Sequence, residues 1–199
     1  MSLILASASP IRQTLLRNSG LTFEVDPAHI DERAAEQPLL AAGATPEDLA
    51  LALAMAKAAS VSERRSGDLV IGADQVLDFA GERLTKPADM EAARRQLLRL
   101  SGRKHQLHSA VACARDGEIV WHFVATATMK MRRFEPAALG RYVARAGEAA
   151  LQSVGAYQLE SLGVQLFEAI EGDYFAILGL PLLPLLGFLR EEGVEGILQ

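Results

Sequence analysis

The sequence predicts an α/β protein, and three features carry that prediction. Residues 3–6 form an apolar run of the length of a buried strand, and a helix start follows at Ser9 and Pro10. Residues 69–73 form the strongest buried-strand signal in the chain. Elsewhere, helix starts and turns alternate with further apolar runs, as in a sheet flanked by helices. The 199 residues suit one domain or two closely joined lobes.

The first predicted strand leads through a hydroxyl-lined turn into a helix. Ser7 and Ser9 form the turn, Pro10 takes the first helical position and Arg12 falls in the first turn. Free backbone N–H groups, the positive end of the helix dipole and a guanidinium all favour an anion there, most naturally a phosphate. The same pattern also occurs as plain structure, so both interpretations stay open at this point.

The next segment carries two adjacent carboxylates. Residues 21–25 are expected to form a strand, and residues 29–32 a polar turn that contains Asp31 and Glu32.

A second helix is predicted to start at Thr45 and Pro46. Lys57 lies among alanines in its C-terminal half, where it either decorates the surface or faces a cleft. The expected buried stripe of this helix consists of Leu49, Leu53, Ala56 and Ala59.

Asp74 directly follows the buried run of residues 69–73, and we expect it at the C-terminal end of that strand. In open α/β sheets this edge lines the ligand crevice. A carboxylate there can hold Mg²⁺ or accept a proton from water, whereas the alternative is a turn cap.

A second cation follows a hairpin-type strand and turn at residues 76–83. Pro87 holds Lys86 in an extended conformation just before a helix of about residues 88–100. An ammonium near a helix start suits a polyanion.

The remaining elements include one further candidate site residue. Strands at residues 107–113 and 119–131 and a helix from Glu135 to about residue 144 are expected, and residues 174–189 predict a strand, a turn and a buried helix. Glu160 lies in a tight polar loop and is a candidate specificity carboxylate, although plain hairpin structure is the alternative.

Composition excludes several classes of protein. A net charge of -5 argues against a general nucleic-acid binder, and no apolar run approaches the ~20 residues that a membrane span needs. Cys113 is the single cysteine and the chain starts without a secretory signal, so we expect the cytoplasm. His105, His108 and His122 lack the grouping of a zinc site. The chain also has neither a P-loop nor a dinucleotide fingerprint.

The polar residues fit one class of reaction. Cations for phosphate, carboxylates for a divalent metal and the lack of a convincing covalent nucleophile indicate metal-assisted attack of water on a phosphoanhydride.

The chain also resembles the Maf-like nucleoside-triphosphate pyrophosphatases over nearly its whole length. The matching pieces are residues 5–10 with Arg12 and residues 15–16, 31–32, 56–58, 72–74, 86–87, 101–102, 168–172 and 179–182. The resemblance implies one Maf-like domain over residues 1–199, with the α/β fold shared with ITPases: a twisted mixed sheet flanked by helices, and a deep cleft between two lobes. It further implies hydrolysis of a nucleoside triphosphate to the monophosphate and pyrophosphate with Mg²⁺ or Mn²⁺, and a homodimer.

Roles carry over residue by residue. Asp74 resembles the family's proton acceptor, and with Glu32 it would hold the metal. The residues that resemble its phosphate-binding groups are Ser7, Arg12, Lys57 and Lys86.

Three positions bear on the substrate: Ile11, Gln75 and Glu160. Gln75 and Glu160 resemble the residues at these positions in the branch of the family that prefers 7-methyl-GTP. The Glu160 carboxylate would suit that substrate, because it can accept hydrogen bonds from guanine and favours the positive charge of the methylated base. Ile11, where that branch tends to have an aromatic residue, would weaken stacking. The alternatives are a dTTP/UTP pyrophosphatase, or a nucleotide-binding regulator of cell division and septum formation with little turnover.

Overall fold

A computed structural model of the chain describes residues 1–194. A mixed seven-stranded sheet carries helices on both faces, which confirms the predicted α/β class. The strands are β1 (Leu3–Leu5), β2 (Glu24–Val25), β3 (Leu69–Phe79), β4 (Glu82–Leu84), β5 (Lys104–Arg115), β6 (Glu118–Met131) and β7 (Phe167–Glu171). The helices are α1 (Pro10–Asn18), α2 (Glu32–Ala41), α3 (Pro46–Ser62), α4 (Met90–Leu100), α5 (Pro136–Ala146), α6 (Tyr174–Ile177) and α7 (Leu182–Glu191), with 3-10 helices at Gly147–Leu151 and Leu162–Leu166.

The sheet has the strand order β2-β1-β3-β5-β6-β7, with β4 added to β3. Strand β5 pairs with β3 along residues 70–78 and so occupies one side of that strand. Strands β1 and β4 must therefore share its other side, where they pair with residues 69–71 and 77–79. Among residues 1–194, no strand pairs with residues 72–76 of β3 on that side, and we call this opening the edge gap.

The two faces of β3 pack against different helices, because side chains alternate along a strand. Val76 packs with alanines of α3 on one face, whereas Ile71 and Leu77 contribute to the main core with α1 and α4 on the other. Gly72 brings α3 close to the sheet: a Cβ atom there would lie 2.2 Å from the Ala54 carbonyl oxygen.

The predicted end of the 69–73 strand was wrong. Strand β3 continues to Phe79 because β5 pairs with it from Val70 to Asp78, and this ladder carries the chain through the polar residues. Asp74 consequently lies in mid-strand. It is the neighbouring β1 that ends nearby, since Leu5 lies opposite Ile71.

Three predictions for local elements also need correction. Of residues 21–25 only Glu24–Val25 form a strand, because β1 offers only two paired positions. Residues 31–32 start α2 instead of forming a turn, since the Asp31 side chain accepts a hydrogen bond from the Ala34 N–H. Residues 174–177 are helical, not a strand, and Asp173 caps them through the Ala176 N–H.

Helix α3 starts as predicted, with a capping box between Thr45 and Asp48. Its buried stripe was only partly right. Leu49 and Leu53 are buried with Ala50, Ala54 and Ala58, whereas Ala56 and Ala59 are half-buried, because small side chains let the helix lie flat on the sheet. The predicted strand pair at β5 and β6, the helix at α5 and the turn before α7 are confirmed.

None of the helices in residues 1–194 is both long enough and apolar enough to span a membrane.

Candidate active site at the edge gap

Two predicted phosphate-binding residues approach the edge gap from opposite ends. Extending the parallel register of β1, in which Leu5 pairs with Ile71, brings Ser7 level with residue 73. Extending the antiparallel register of β4, in which Leu84 pairs with Leu77, brings Lys86 level with residue 75. Asp74 therefore lies in the stretch of β3 between the end of β1, which leads to Ser7, and the end of β4, which leads to Lys86.

Lys86 itself is exposed, and no hydrogen bond or ion pair of its side chain is found within residues 1–194. Its backbone neighbourhood is anchored, because Leu84 and Pro87 on either side are buried. A free ammonium on an anchored chain can reach a ligand at the gap without breaking an existing ion pair.

Lys57 joins the two predicted metal-binding carboxylates. Its Nζ atom lies 2.6 Å from Asp74 Oδ1 and 2.7 Å from Glu32 Oε1. The Lys57 and Asp74 side chains are each only 12% exposed, whereas that of Glu32 is 47% exposed. Glu32 comes from the first residue of α2, Lys57 from α3 and Asp74 from β3, so three elements converge on one ion cluster.

Arg12 is fixed by three acceptors. Its Nε donates to the Gly179 carbonyl at 2.8 Å, and one terminal nitrogen donates to the Ala73 carbonyl at 2.8 Å and to Ser7 Oγ at 3.2 Å. The Ala73 carbonyl belongs to the edge gap, so Arg12 occupies one of the backbone positions that no strand covers. The guanidinium is thus held beside Asp74 on a rigid frame.

The start of α1 retains backbone donors. Ser9 occupies the predicted N-cap position, but its side chain makes no capping hydrogen bond, and its N–H donates to Ser7 Oγ at 3.3 Å. Pro10 has no N–H to satisfy. The N–H groups of the first turn therefore lack a side-chain cap, as an anion site at a helix N-terminus requires.

Burial and charge act in opposite directions on Asp74. Burial raises the pKa of its carboxyl above the ordinary range, the positive charges of Lys57 and Arg12 lower it, and the nearby Glu32 raises it further. Burial likewise lowers the pKa of Arg12, whereas the negative charges of Asp74 and Glu32 raise it. A carboxylate whose pKa lies nearer neutrality is a better proton acceptor than an ordinary aspartate.

The three predicted specificity residues do not join this cluster. Ile11 is half-buried and packs against the main core. Gln75 follows Asp74 but projects from the opposite face of β3, where its Nε2 contacts Ser109 and α6. Glu160 is exposed, without a hydrogen bond or ion pair of its side chain in the described part of the chain.

The loop that carries Glu160 is nevertheless well defined. Gly155 and Gly163 allow close approach of neighbouring atoms: a Cβ at Gly163 would lie 2.4 Å from the Gln158 carbonyl oxygen. A cavity of about 120 Å³ adjoins the loop, with Tyr142 in its wall. Burial, with a smaller contribution from the charge of Glu160, raises the pKa of Tyr142 to about 12.

Two of the three histidines have partners that account for their burial. His105 lies 2.6 Å from the Tyr157 hydroxyl, and burial lowers its pKa to about 4. His108 lies 2.9 Å from the Thr126 hydroxyl.

Some groups that build the site have no signal in the sequence. The carbonyls of Ala73 and Gly179 hold Arg12, and Ser109 contacts Gln75 across the β3–β5 ladder. Backbone carbonyls carry no residue-type signature, and the turn at residues 179–181 was the only available hint.

Fold and site together define an α/β protein that collects two cations and two carboxylates beside an opening in its sheet. A model of the family described as Maf-like protein matches residues 2–192. The chain belongs to this family, which confirms the predicted resemblance.

Curated relatives match the chain at nearly full length. A protein of Mesorhizobium japonicum named 7-methyl-GTP pyrophosphatase is 58% identical over 191 residues, which cover 96% of each chain. A protein of Caulobacter vibrioides named nucleoside triphosphate pyrophosphatase is 54% identical over 189 residues, covering 95% of this chain and 94% of that one. The solved structure of the Staphylococcus aureus Ham1 protein shares the fold, with a TM-score of 0.50 at 15% identity over 96% of this chain and 100% of that one.

Proposed function

We propose that this protein is a nucleoside triphosphate pyrophosphatase that hydrolyses 7-methyl-GTP in preference to other nucleotides, yielding the monophosphate and pyrophosphate. One observation carries the proposal: Asp74, ion-paired to Lys57, lies in the edge gap, with Ser7 two residues beyond the end of β1 and Lys86 two residues beyond the end of β4. The names of the relatives, at 54–58% identity, point in the same direction.

The residues fit a divalent cation such as Mg²⁺ or Mn²⁺. Glu32 and Asp74 already converge on a positive charge, the Lys57 ammonium, with contacts of 2.7 and 2.6 Å respectively. Residues 1–194 contain no group of three or more ligating side chains, so substrate oxygens and water would complete the coordination, as is usual for Mg²⁺. When bound, the metal would polarise the phosphoryl oxygens.

The side chains of this chain would supply the remaining chemistry. Arg12, Lys57 and Lys86 would balance the charge of the triphosphate and of the leaving pyrophosphate. Ser7 and the first N–H groups of α1 would hold phosphate oxygens. Asp74 would take the proton from the attacking water, a role that its raised pKa suits.

Glu160 would determine which nucleobase the enzyme prefers. A carboxylate can accept hydrogen bonds from the N1–H and amino group of guanine, and it favours the positive charge that 7-methylation adds. Its side chain is exposed and therefore available to a ligand. Ile11 would add only an aliphatic contact.

A substrate panel tests the proposal. Purified protein is incubated with 7-methyl-GTP, GTP, UTP and dTTP, with Mg²⁺, with Mn²⁺ or with a chelator, and pyrophosphate is measured. We expect the highest kcat/KM for 7-methyl-GTP and loss of activity with chelator. A preference for UTP and dTTP would overturn the choice of base, and nucleotide binding without turnover would favour the division-regulating alternative.

We further propose that the enzyme acts as a homodimer in the cytoplasm, on the family resemblance and the single cysteine. Light scattering of the purified chain tests the dimer, and a monomeric mass would overturn it.

A further inference from the structure

Gln75 is held by α6 on the face of β3 opposite Asp74. Its Nε2 lies 2.8 Å from Ser109 Oγ, 3.0 Å from the Ile177 carbonyl oxygen and 3.2 Å from the Ala176 carbonyl oxygen. The Ser109 hydroxyl, which is fully buried, also donates to the Ala176 carbonyl, at 2.6 Å. All the acceptors are oxygens, so this end of the side chain must be the amide nitrogen.

Helix α6 depends on such support. It has only four residues, and helices this short are unstable without tertiary contacts. Asp173 satisfies its N-terminal end through the Ala176 N–H, and Gln75 with Ser109 satisfies carbonyls at its C-terminal end. The position of the chain that follows α6 is therefore set from β3 and β5.

That following chain is what holds Arg12. The Gly179 N–H donates to the Ala176 carbonyl at 2.8 Å, and the Gly179 carbonyl accepts from Arg12 Nε at 2.8 Å. Arg12 returns to β3 through the Ala73 carbonyl. A closed ring of contacts thus runs from residue 73 through Arg12 and α6 back to Gln75.

We propose that Gln75 is a positioning residue: it fastens α6 to β3 and so fixes the carbonyl of Gly179 that aims the Arg12 guanidinium. The proposal rests on the phosphate-binding role of Arg12 proposed above. It differs from base selection, because positioning acts on every ligand with a polyphosphate, whatever its base.

The first test observes Arg12 without any turnover. In the wild type, the Arg12 Nε hydrogen, followed by ¹⁵N NMR, should exchange slowly with solvent, because it is hydrogen-bonded to the Gly179 carbonyl oxygen. Gln75→Met keeps the length of the side chain and removes the donor, and we expect exchange about tenfold faster or more. The matched control is Gln96→Met, which removes a glutamine bond to the Val154 carbonyl elsewhere. Unchanged Arg12 exchange in Gln75→Met would overturn the proposal.

The second test uses pyrophosphate, a ligand without a base. Calorimetry should show that Gln75→Met weakens the binding of pyrophosphate and the binding of 7-methyl-GTP by the same factor, about 3- to 10-fold. In an Arg12→Lys background, which lacks the Nε donor, Gln75→Met should cause no further loss. A changed preference between 7-methyl-GTP and UTP with unchanged pyrophosphate affinity would make Gln75 a base-selecting residue. If the wild type hydrolyses no nucleotide, the proposed function fails while the exchange experiment still tests the positioning role.

Discussion

Asp74 and Gln75 are adjacent in β3, but their side chains project from opposite faces of the strand and make different kinds of contact. On the α3 face, Asp74 contacts a lysine that also contacts Glu32, and burial raises the pKa of Asp74. On the α6 face, Gln75 makes only neutral hydrogen bonds to a hydroxyl and to carbonyls. Charged groups suit proton transfer and metal binding, and neutral bonds suit placement. The proposed reacting groups thereby lie on one face of the strand, and the proposed positioning residue lies on the other.

The largest effect is expected at the charged face. Asp74→Asn removes the proton acceptor, and turnover of 7-methyl-GTP should fall by ~10²-fold or more. The control is Asp78→Asn, on the same face of the same strand, whose carboxylate accepts a hydrogen bond from the Gly81 N–H instead. Steady-state pyrophosphate release checks both variants. Near-normal turnover of Asp74→Asn would exclude Asp74 from the mechanism.

Lys57→Met should affect both rate and pH dependence. Loss of a charge-assisted contact should lower kcat/KM by about 10- to 100-fold. The positive charge of Lys57 also lowers the pKa of Asp74, so removing that charge raises the pKa. The acid limb of the kcat/KM profile should consequently move to higher pH. Lys130→Met, whose ammonium donates to the Gly102 carbonyl, serves as the control. An acid limb that stays in place would separate Lys57 from Asp74 in function.

Glu160→Gln keeps the shape of the side chain and removes its charge. We expect kcat/KM for 7-methyl-GTP to fall about tenfold relative to UTP, because a hydrogen bond to a charged group is replaced by a weaker neutral one. Glu118→Gln, an equally exposed carboxylate at the β5–β6 turn, should leave the ratio unchanged. An unaltered ratio in the Glu160 variant would count against contact with guanine.

The smallest effect tests the neutral face through a pair of glycines. Gly179 has φ +95° and its Cβ would lie 3.5 Å from Arg12 Nε, whereas Gly43 has φ +79° with no heavy atom within 4 Å. Alanine at either position should lower the free energy of unfolding by about 1–2 kcal/mol, because both adopt a left-handed conformation. Only Gly179→Ala should raise KM, by about threefold, because backbone strain at residue 179 would displace the carbonyl that accepts from Arg12 Nε. Equal KM values would show that backbone strain at residue 179 does not reach Arg12.

The sequence predicted which residues come together at the candidate site better than it predicted the strands and carbonyls that hold them. Ser7, Arg12, Lys57 and Asp74 are joined by direct contacts or by the β1–β3 pairing. Ser7, Arg12 and Asp74 were expected there because a Ser-Pro helix start and a carboxylate after a buried run are local patterns, whereas Lys57 was assigned to the site through the family resemblance.

The surroundings of the site were not predictable in the same way. Asp74 was expected at a strand end, but pairing with β5, a partner more than 30 residues away, extends the strand past it. Gln75 was predicted to contribute to specificity, and which face it occupies depends on the register of that pairing. Such long-range backbone partners leave no local signature.

Product analysis tests the central claim most directly. 7-Methyl-GTP is incubated with the protein and Mg²⁺, and the nucleotides and phosphates are quantified by chromatography. We expect equimolar 7-methyl-GMP and pyrophosphate, with no diphosphate nucleotide. Release of orthophosphate with 7-methyl-GDP, or no metal-dependent product at all, would contradict it.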